Sequence, residues 1–95
     1  MKKIRLFRVV GSFAENKDLA RDIRIKRIVP ALENNEKIIL DFTGVDSATQ
    51  SFIHALISEI MRRWGDDVLD NVYFENCNET IQKIINIVVE YMQEA

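Results

Sequence analysis

A cluster of polar side chains follows an apolar run near the middle of this 95-residue sequence. From Leu40 to Leu56 the chain reads "LDFTGVDSATQSFIHAL", in which hydroxyl, amide and carboxylate groups precede an amphipathic run. The free backbone N–H groups and the dipole at the start of a helix favour anions. The candidates for binding a partner or an anion at this helix start are Asp46, Ser47, Thr49, Gln50, Ser51 and His54.

The same hydroxyl groups could instead have a structural role at the start of the helix. Ser47 and Gln50 have the spacing of a capping box, in which the serine accepts from a backbone N–H and the glutamine reaches back. Thr49 could be the N-cap residue instead. The helix is predicted to begin near Thr49 or Gln50.

The polar residues of this helix do not form a recognisable catalytic set. Ser51, His54 and Ser58 are spaced at i, i+3 and i+7, away from the apolar stripe, so we expect all three to be exposed. A serine and a histidine could form an activated nucleophile, but the chain has a single histidine and no glycine-flanked serine elbow. Asp41 has no second acid or histidine at ligand spacing, so we expect it to hold the following turn. The sequence predicts no enzyme, no catalytic residue, no metal site and no cofactor.

Two further features could have a chemical or binding role. Cys77 is the single cysteine, and we expect it to be a small apolar residue near the core, because the neighbouring Glu75 and Glu79 do not favour a thiolate. A basic segment could contact nucleic acid, but it lacks interleaved aromatic residues and the sequence pI is about 5.4, which argues against that partner. The basic residues are Arg21, Arg24, Lys26 and Arg27.

The hydrophobic pattern predicts the scaffold that must position these residues. It indicates strands over about 3–10, 37–42 and 70–77, and helices over about 17–35, 50–64 and from 78 or 79 onward. The continuous apolar run "KIILDF" is typical of a central strand buried on both faces. Pro30 is expected to kink the first helix, and Gly65 to end the second. The order β-α-β-α-β-α predicts a small α/β sandwich with at least one pair of parallel strands.

Length and composition are those of one small globular domain, which we place over residues 1–95. Residues 1–37 carry ten basic and five acidic side chains, whereas residues 38–95 carry three and ten. This asymmetry describes either ordinary solvated faces or two opposed surfaces that steer a partner or a second copy. Because Arg5 and Arg8 interrupt the first apolar run and no segment has about 20 apolar residues, we expect a cytoplasmic protein without a membrane partner.

The segment "ILDFTGV" followed by "TQSFIHAL" resembles the STAS-like domain family of unknown function, which is related more distantly to the anti-sigma factor antagonists. The resemblance is sharpest over residues 38–60. It implies a small STAS-like sandwich in which helices pack on a short mixed sheet. It also implies a non-enzymatic bacterial regulatory module that binds another protein, with a serine kinase or a histidine-kinase-like ATPase as the partner indicated.

The antagonists carry an Asp-Ser-Ser/Thr-Gly run at this helix start, and a partner kinase phosphorylates its first serine. On the present sequence that serine position falls on Gln50 and the glycine falls on Phe52. The remaining candidates for phosphorylation are Ser51 and Thr49, and we favour Ser51 because Thr49 is expected to cap the helix. Phe52 belongs to the apolar stripe, so we expect it to be chiefly structural.

Two other functions remain open from the sequence. One is a module that senses a small ligand or an anion through the same helix start. The other is a homo-oligomeric structural module, for which a homodimer is the simplest form.

Overall fold

The computed structural model describes residues 1–94, which alternate between short strands and helices. The strands are β1 (Lys2–Arg5), β2 (Phe13–Ala14), β3 (Ile38–Asp41), β4 (Ser47–Ala48) and β5 (Val72–Glu75). The α-helices are α1 (Phe7–Val10), α2 (Lys17–Ile23), α3 (Val29–Glu33), α4 (Gln50–Trp64) and α5 (Glu79–Glu94). A π-helical segment, Arg24–Ile28, joins α2 to α3, and a 3₁₀ segment, Gly65–Asp70, follows α4.

Three strands form the main sheet, in the order β1-β3-β5, and β2 pairs with β4 in a separate two-stranded ladder. In the register of the main sheet, Ile4 lies beside Leu40, and Leu40 lies beside Phe74. The α/β fold class and the central position of β3 are confirmed. All three strand pairs in the described part are parallel, whereas the family resemblance implied a mixed sheet. The reason is that each strand of the main sheet is reached through a helical crossover and not through a hairpin.

The helices cover one face of the main sheet. Ile4, Ile38 and Leu40 are buried and belong to the same hydrophobic core as the apolar faces of α2, α3, α4 and α5. On the opposite face, Lys3 is exposed and Ile39 is only half-buried. Right-handed crossovers that step in one direction across a parallel sheet place their helices on the same face, and the order β1-β3-β5 is such a progression. The prediction that residues 37–42 are buried on both faces by helices is therefore wrong for the side on which Ile39 lies.

The first strand is shorter than the sequence predicted. β1 pairs with β3 only as far as Arg5, and the N–H of Leu6 then donates to the carbonyl of Asp41 at 3.0 Å. From there the chain turns into the single helical turn of α1, in which the N–H groups of Val9 and Val10 both donate to the carbonyl of Leu6. The strand ends where β3 ends, because no partner strand remains to satisfy its backbone groups. The segment after Gly11, which none of the predicted strands and helices covers, contains β2.

The predicted irregularity at Pro30 is confirmed, and it takes the form of a π-helical segment. Pro30 lies in the first turn of α3, where it has no N–H to donate to the fourth preceding carbonyl. Just before it, the N–H of Val29 donates to the carbonyl of Arg24, five residues back. Widening the turn to this π-type spacing accommodates the proline without ending the helix.

Helices α4 and α5 supply most of the helical contribution to the core. Phe52 is completely buried in α4, which confirms its predicted structural role in packing. The helix ends as predicted at Gly65, which has φ of 71° and donates its N–H to the carbonyl of Met61. Within residues 1–94, no helix is both long enough and apolar enough to cross a membrane.

Candidate functional site at the start of helix α4

The loop between β3 and α4 is held by a close backbone approach and by the small β2–β4 ladder. Gly44 has φ of 87°, and a Cβ at that position would lie 2.9 Å from the ring of Phe7, so the turn requires glycine. Farther along, the N–H groups of Asp46 and Ser47 both donate to the carbonyl of Ser12, at 2.8 and 3.3 Å. The loop therefore enters α4 at a fixed position.

Thr49 is the N-cap of α4, and the alternative capping box is not formed. Thr49 has an extended backbone, with φ of −85° and ψ of 155°, and its hydroxyl oxygen accepts from the N–H of Phe52 at 3.1 Å. Ser47 lies in β4, where it is the register partner of Phe13, so it is not at the cap position. The interpretation that Thr49 is the cap is confirmed, and the Ser47–Gln50 capping box is wrong because β4 extends the chain up to Thr49.

Three of the predicted site residues line one groove. Gln50 and Ser51, in the first turn of α4, are exposed, and His54, one turn later, is half-buried. Lys17 from the start of α2 and Tyr91 from the last turns of α5 line the same groove of about 650 Å³. Ala55 and Val88 form its apolar part. The groove thus combines a lysine ammonium, a hydroxyl, an imidazole and an exposed aromatic ring, which can contact an anionic or amphipathic group.

The other three predicted site residues lie outside this groove. The Asp46 side chain is exposed, and the Asp46 carbonyl accepts from the Nδ2 atom of Asn78 at 2.6 Å. Ser47 is half-buried in β4. The Thr49 hydroxyl is engaged as the cap. All three border the start of α4, but they act on its geometry and do not face the groove.

The prediction that Ser58 is exposed together with Ser51 and His54 is wrong. Ser58 is buried, with 2% of its surface accessible. Helix α4 packs against α2 on one side and α5 on the other, so only a narrow strip of the helix remains open to solvent. The periodicity of one helix defines its own polar face but does not show which neighbouring helices cover it.

Lys17 and Tyr91 were not identified from the sequence as groove residues. Lys17 is the first residue of α2, which Asn16 caps by accepting from the N–H groups of Asp18 and Leu19. Tyr91 is 62% exposed, so it is an aromatic residue that the core does not use. Its spacing of i, i+4 from the exposed Ile87 is the one sequence signal that could have drawn attention to this side of α5.

Asp41 is a buried carboxylate that holds the start of the β3–α4 loop. Its Oδ1 accepts from the Nδ2 of Asn76 at 2.9 Å, and from the hydroxyl and the N–H of Thr43 at 2.7 and 3.0 Å. Its Oδ2 lies 3.5 Å from the Nζ of Lys3. The bonds from Asn76 and Thr43 hold the pKa of the Asp41 carboxyl well below its usual range, and Lys3 adds to this. The prediction that Asp41 holds the following turn is confirmed.

Cys77 lies next to the core and is poorly suited to nucleophilic chemistry. The side chain is half-buried and packs against the hydrophobic core. Burial, and then the negative charge of Asp41, raise the pKa of the Cys77 thiol to about 11. The thiol is therefore protonated near neutral pH. Within residues 1–94, no group of three or more His, Cys, Asp or Glu side chains could hold a metal ion.

The comparison with known families gives a clear match. The model of the STAS-like domain of unknown function (DUF4325) matches residues 20–82, which is more than half of the chain. The chain belongs to this STAS-like family. No curated protein and no solved structure matches it.

Residues 20–82, which the family model matches, contain the central strand β3, the loop between β3 and α4, and the whole of α4, but not the whole groove. Gln50, Ser51 and His54 lie within residues 20–82, whereas Lys17 and Tyr91 lie outside them. The family match therefore accounts for one wall of the groove. The first residue of α2 and the last turns of α5 supply the rest from outside the matched residues.

Proposed function

We propose that this STAS-like protein is a non-enzymatic regulatory module that binds a partner protein through the groove at the start of α4. The observation that carries the proposal is the juxtaposition of exposed Gln50 and Ser51 with the exposed ring of Tyr91 in one groove. Aromatic residues that lie at the surface are enriched at the centres of protein interfaces, because they bury a large area at little cost in conformational entropy.

The partner that the resemblance to anti-sigma factor antagonists indicates is a serine kinase or a histidine-kinase-like ATPase. The carry-over is by analogy of fold and position, since the serine that is phosphorylated in the antagonists is replaced here by Gln50. A protein-binding role does not require that serine, whereas a phosphorylation switch requires a different acceptor.

Ser51 is the acceptor we propose for such a switch, in preference to Thr49. Ser51 is exposed in the first turn of α4, whereas the Thr49 hydroxyl accepts the capping bond from Phe52. A phosphate on Ser51 would lie in the groove that Lys17 also lines, and the helix dipole would favour it by about 0.3–1 kcal/mol. The modification would change the charge offered to a partner and leave α4 folded.

The test uses paired variants in the first turns of two helices. Ser51 is the second residue of α4 and Thr80 is the second residue of α5, and both are exposed. Ser51→Asp and Thr80→Asp therefore add the same charge at equivalent helix positions. We expect wild type and Thr80→Asp to capture the same stoichiometric protein from the native host, and Ser51→Asp to capture at least about tenfold less, since one interfacial charge is worth 1.4 kcal/mol or more.

Two results would contradict the proposal. Equal capture by both variants would show that the groove is not the binding surface. The phosphorylation switch is contradicted if no phosphate is found on Ser51 in the presence of the captured kinase. Intact-protein mass spectrometry, with peptide mapping of residues 46–61, makes this measurement.

A second candidate function rests on the same groove. Its volume of about 650 Å³ lies within the usual size range of small-ligand sites, and Lys17 and His54 could contact an anionic group. A module that senses a small anion would retain a small molecule in native mass spectrometry and capture no stoichiometric protein. A homo-oligomeric structural module would capture neither and would show a multiple of the chain mass in light scattering.

A further inference from the structure

A separate cavity lies at the carboxyl end of the main sheet. Arg5 is the last residue of β1 and Asp41 is the last residue of β3, and the two are register partners. Together with Phe7, Arg8 and Thr43, they line a cavity of about 330 Å³. It shares no residue with the groove at the start of α4. Ligands of open α/β sheets bind beyond the carboxyl ends of the strands, which is where this cavity lies.

The charges in this cavity are unevenly matched. Asp41 is already paired with Lys3 and accepts three hydrogen bonds on its other oxygen. Neither Arg5 nor Arg8 makes an ion pair within 4.0 Å among residues 1–94. The cavity is therefore lined by two arginines that have no acidic partner, beside a carboxylate that is paired with Lys3.

Two contacts fix the part of the cavity wall that Phe7 and Thr43 form. The ring of Phe7 packs against the backbone of Gly44, and its atoms lie 2.9–3.4 Å from the position that a Cβ on Gly44 would take. The Gly44 backbone therefore limits the positions that the ring can adopt. The hydroxyl of Thr43 donates its single hydrogen to Asp41. An anion in the cavity would therefore receive its hydrogen bonds from Arg5 and Arg8.

We propose that this cavity binds a phosphate group, either as free orthophosphate or as part of a small phosphomonoester. A phosphate dianion matches two guanidinium cations in charge, and its oxygens accept their paired N–H donors. A carboxylate monoanion would leave one guanidinium without a matching charge. The 48% exposed ring of Phe7 offers an apolar surface next to the phosphate position for the remainder of a phosphomonoester.

The test is a titration of the full chain with inorganic phosphate, adenosine monophosphate or acetate at constant ionic strength. Two-dimensional ¹H–¹⁵N NMR spectra record the binding. We expect saturable shifts around Arg5 and Arg8 with the two phosphates, and binding of acetate at least about tenfold weaker, since acetate leaves one guanidinium without a matching charge. Tighter binding of adenosine monophosphate than of phosphate would identify a phosphomonoester, and equal binding would identify free phosphate. Either outcome supports the site.

Single substitutions distinguish phosphate binding in this cavity from nonspecific attraction of phosphate to positive charge. Arg5→Gln and Arg8→Gln should each weaken phosphate binding about tenfold or more. Arg21→Gln, which removes an equal charge from the exposed surface of α2, should change it less than twofold. Linear, unsaturated shifts in the wild type would overturn the proposal. A loss of phosphate binding in Arg21→Gln equal to that in Arg5→Gln would also overturn it. So would a loss of phosphate binding in Arg27→Gln without one in Arg5→Gln, because Arg27 lines a different cavity near Lys2.

Discussion

The two faces of the β1-β3-β5 sheet are made by alternate residues of the same strands, yet they differ in composition and in what they contact. Leu40 is completely buried in the hydrophobic core, whereas its neighbour Ile39, on the opposite face, is half-buried and lies outside that core. The covered face is apolar, and the open face carries Lys3, Arg5 and Asp41. The comparison shows that the helices place the apolar contacts on one side of the sheet, whereas the other side carries charged groups, of which Asp41 is buried, ion-paired and hydrogen-bonded.

The largest expected effect concerns the helix that packs on the covered side. Phe52→Ala should reduce the free energy of unfolding by about 3–5 kcal/mol, because it leaves a cavity in the core. That loss is a large part of the roughly 5–10 kcal/mol expected for a domain of this size, so the variant should be poorly folded. Thermal and urea denaturation followed by circular dichroism measure the change.

The matched control for this variant is Phe13→Ala. Phe13 is 48% exposed, and its truncation should change the free energy of unfolding by less than about 1 kcal/mol. A cooperative Phe52→Ala transition close to that of wild type would mean that Phe52 is not a core residue.

A pair of neighbouring substitutions tests the two faces directly. Leu40→Ala should cost about 2–5 kcal/mol, whereas Ile39→Ala should cost about 1 kcal/mol, because the Ile39 side chain leaves little buried volume behind. The measurement is urea denaturation of both variants under identical conditions. Equal losses would show that something covers the open face in solution, and a concentration-dependent loss for Ile39→Ala would identify a second copy as the cover.

The smallest effect concerns the polar side. The pKa of Asp41 is lower in the folded protein than the value of about 3.9 expected when unfolded, so its carboxylate stabilises the fold fully above that value. This stabilisation is lost as the pH falls below about 4, toward the lower folded-state pKa. Asp41→Asn should therefore be less stable than wild type by about 1–2 kcal/mol at pH 7, and the difference should shrink at acid pH.

Urea denaturation between pH 2.5 and pH 7 measures this dependence. Glu75→Gln is the control, because Glu75 is the register partner of Asp41 on β5 and is exposed. A constant difference between Asp41→Asn and wild type across the pH range would show that the hydrogen bonds from Asn76 and Thr43 do not favour the ionised carboxyl.

Much of the scaffold could be predicted from local patterns. The stripe containing Phe52 defined α4, the run "KIILDF" defined the central strand, and Gly65 marked the end of α4. These predictions succeed because hydrophobic period, glycine conformation and capping chemistry act over a few residues. The extent of the first strand could not be predicted, because it depends on where β3 stops offering a partner.

The sequence by itself determined the class of fold, the positions of the main helices and central strand, the burial of Phe52, and the family, since each depends on neighbouring residues. Only the tertiary structure decided that Ser58 is covered while Ser51 is open, and that Lys17 and Tyr91 complete a groove around Ser51. It also decided that Arg5 and Arg8 share a cavity with Asp41. The physical reason is that these arrangements depend on contacts between segments distant in sequence, and the period of one helix or strand carries no information about its neighbours.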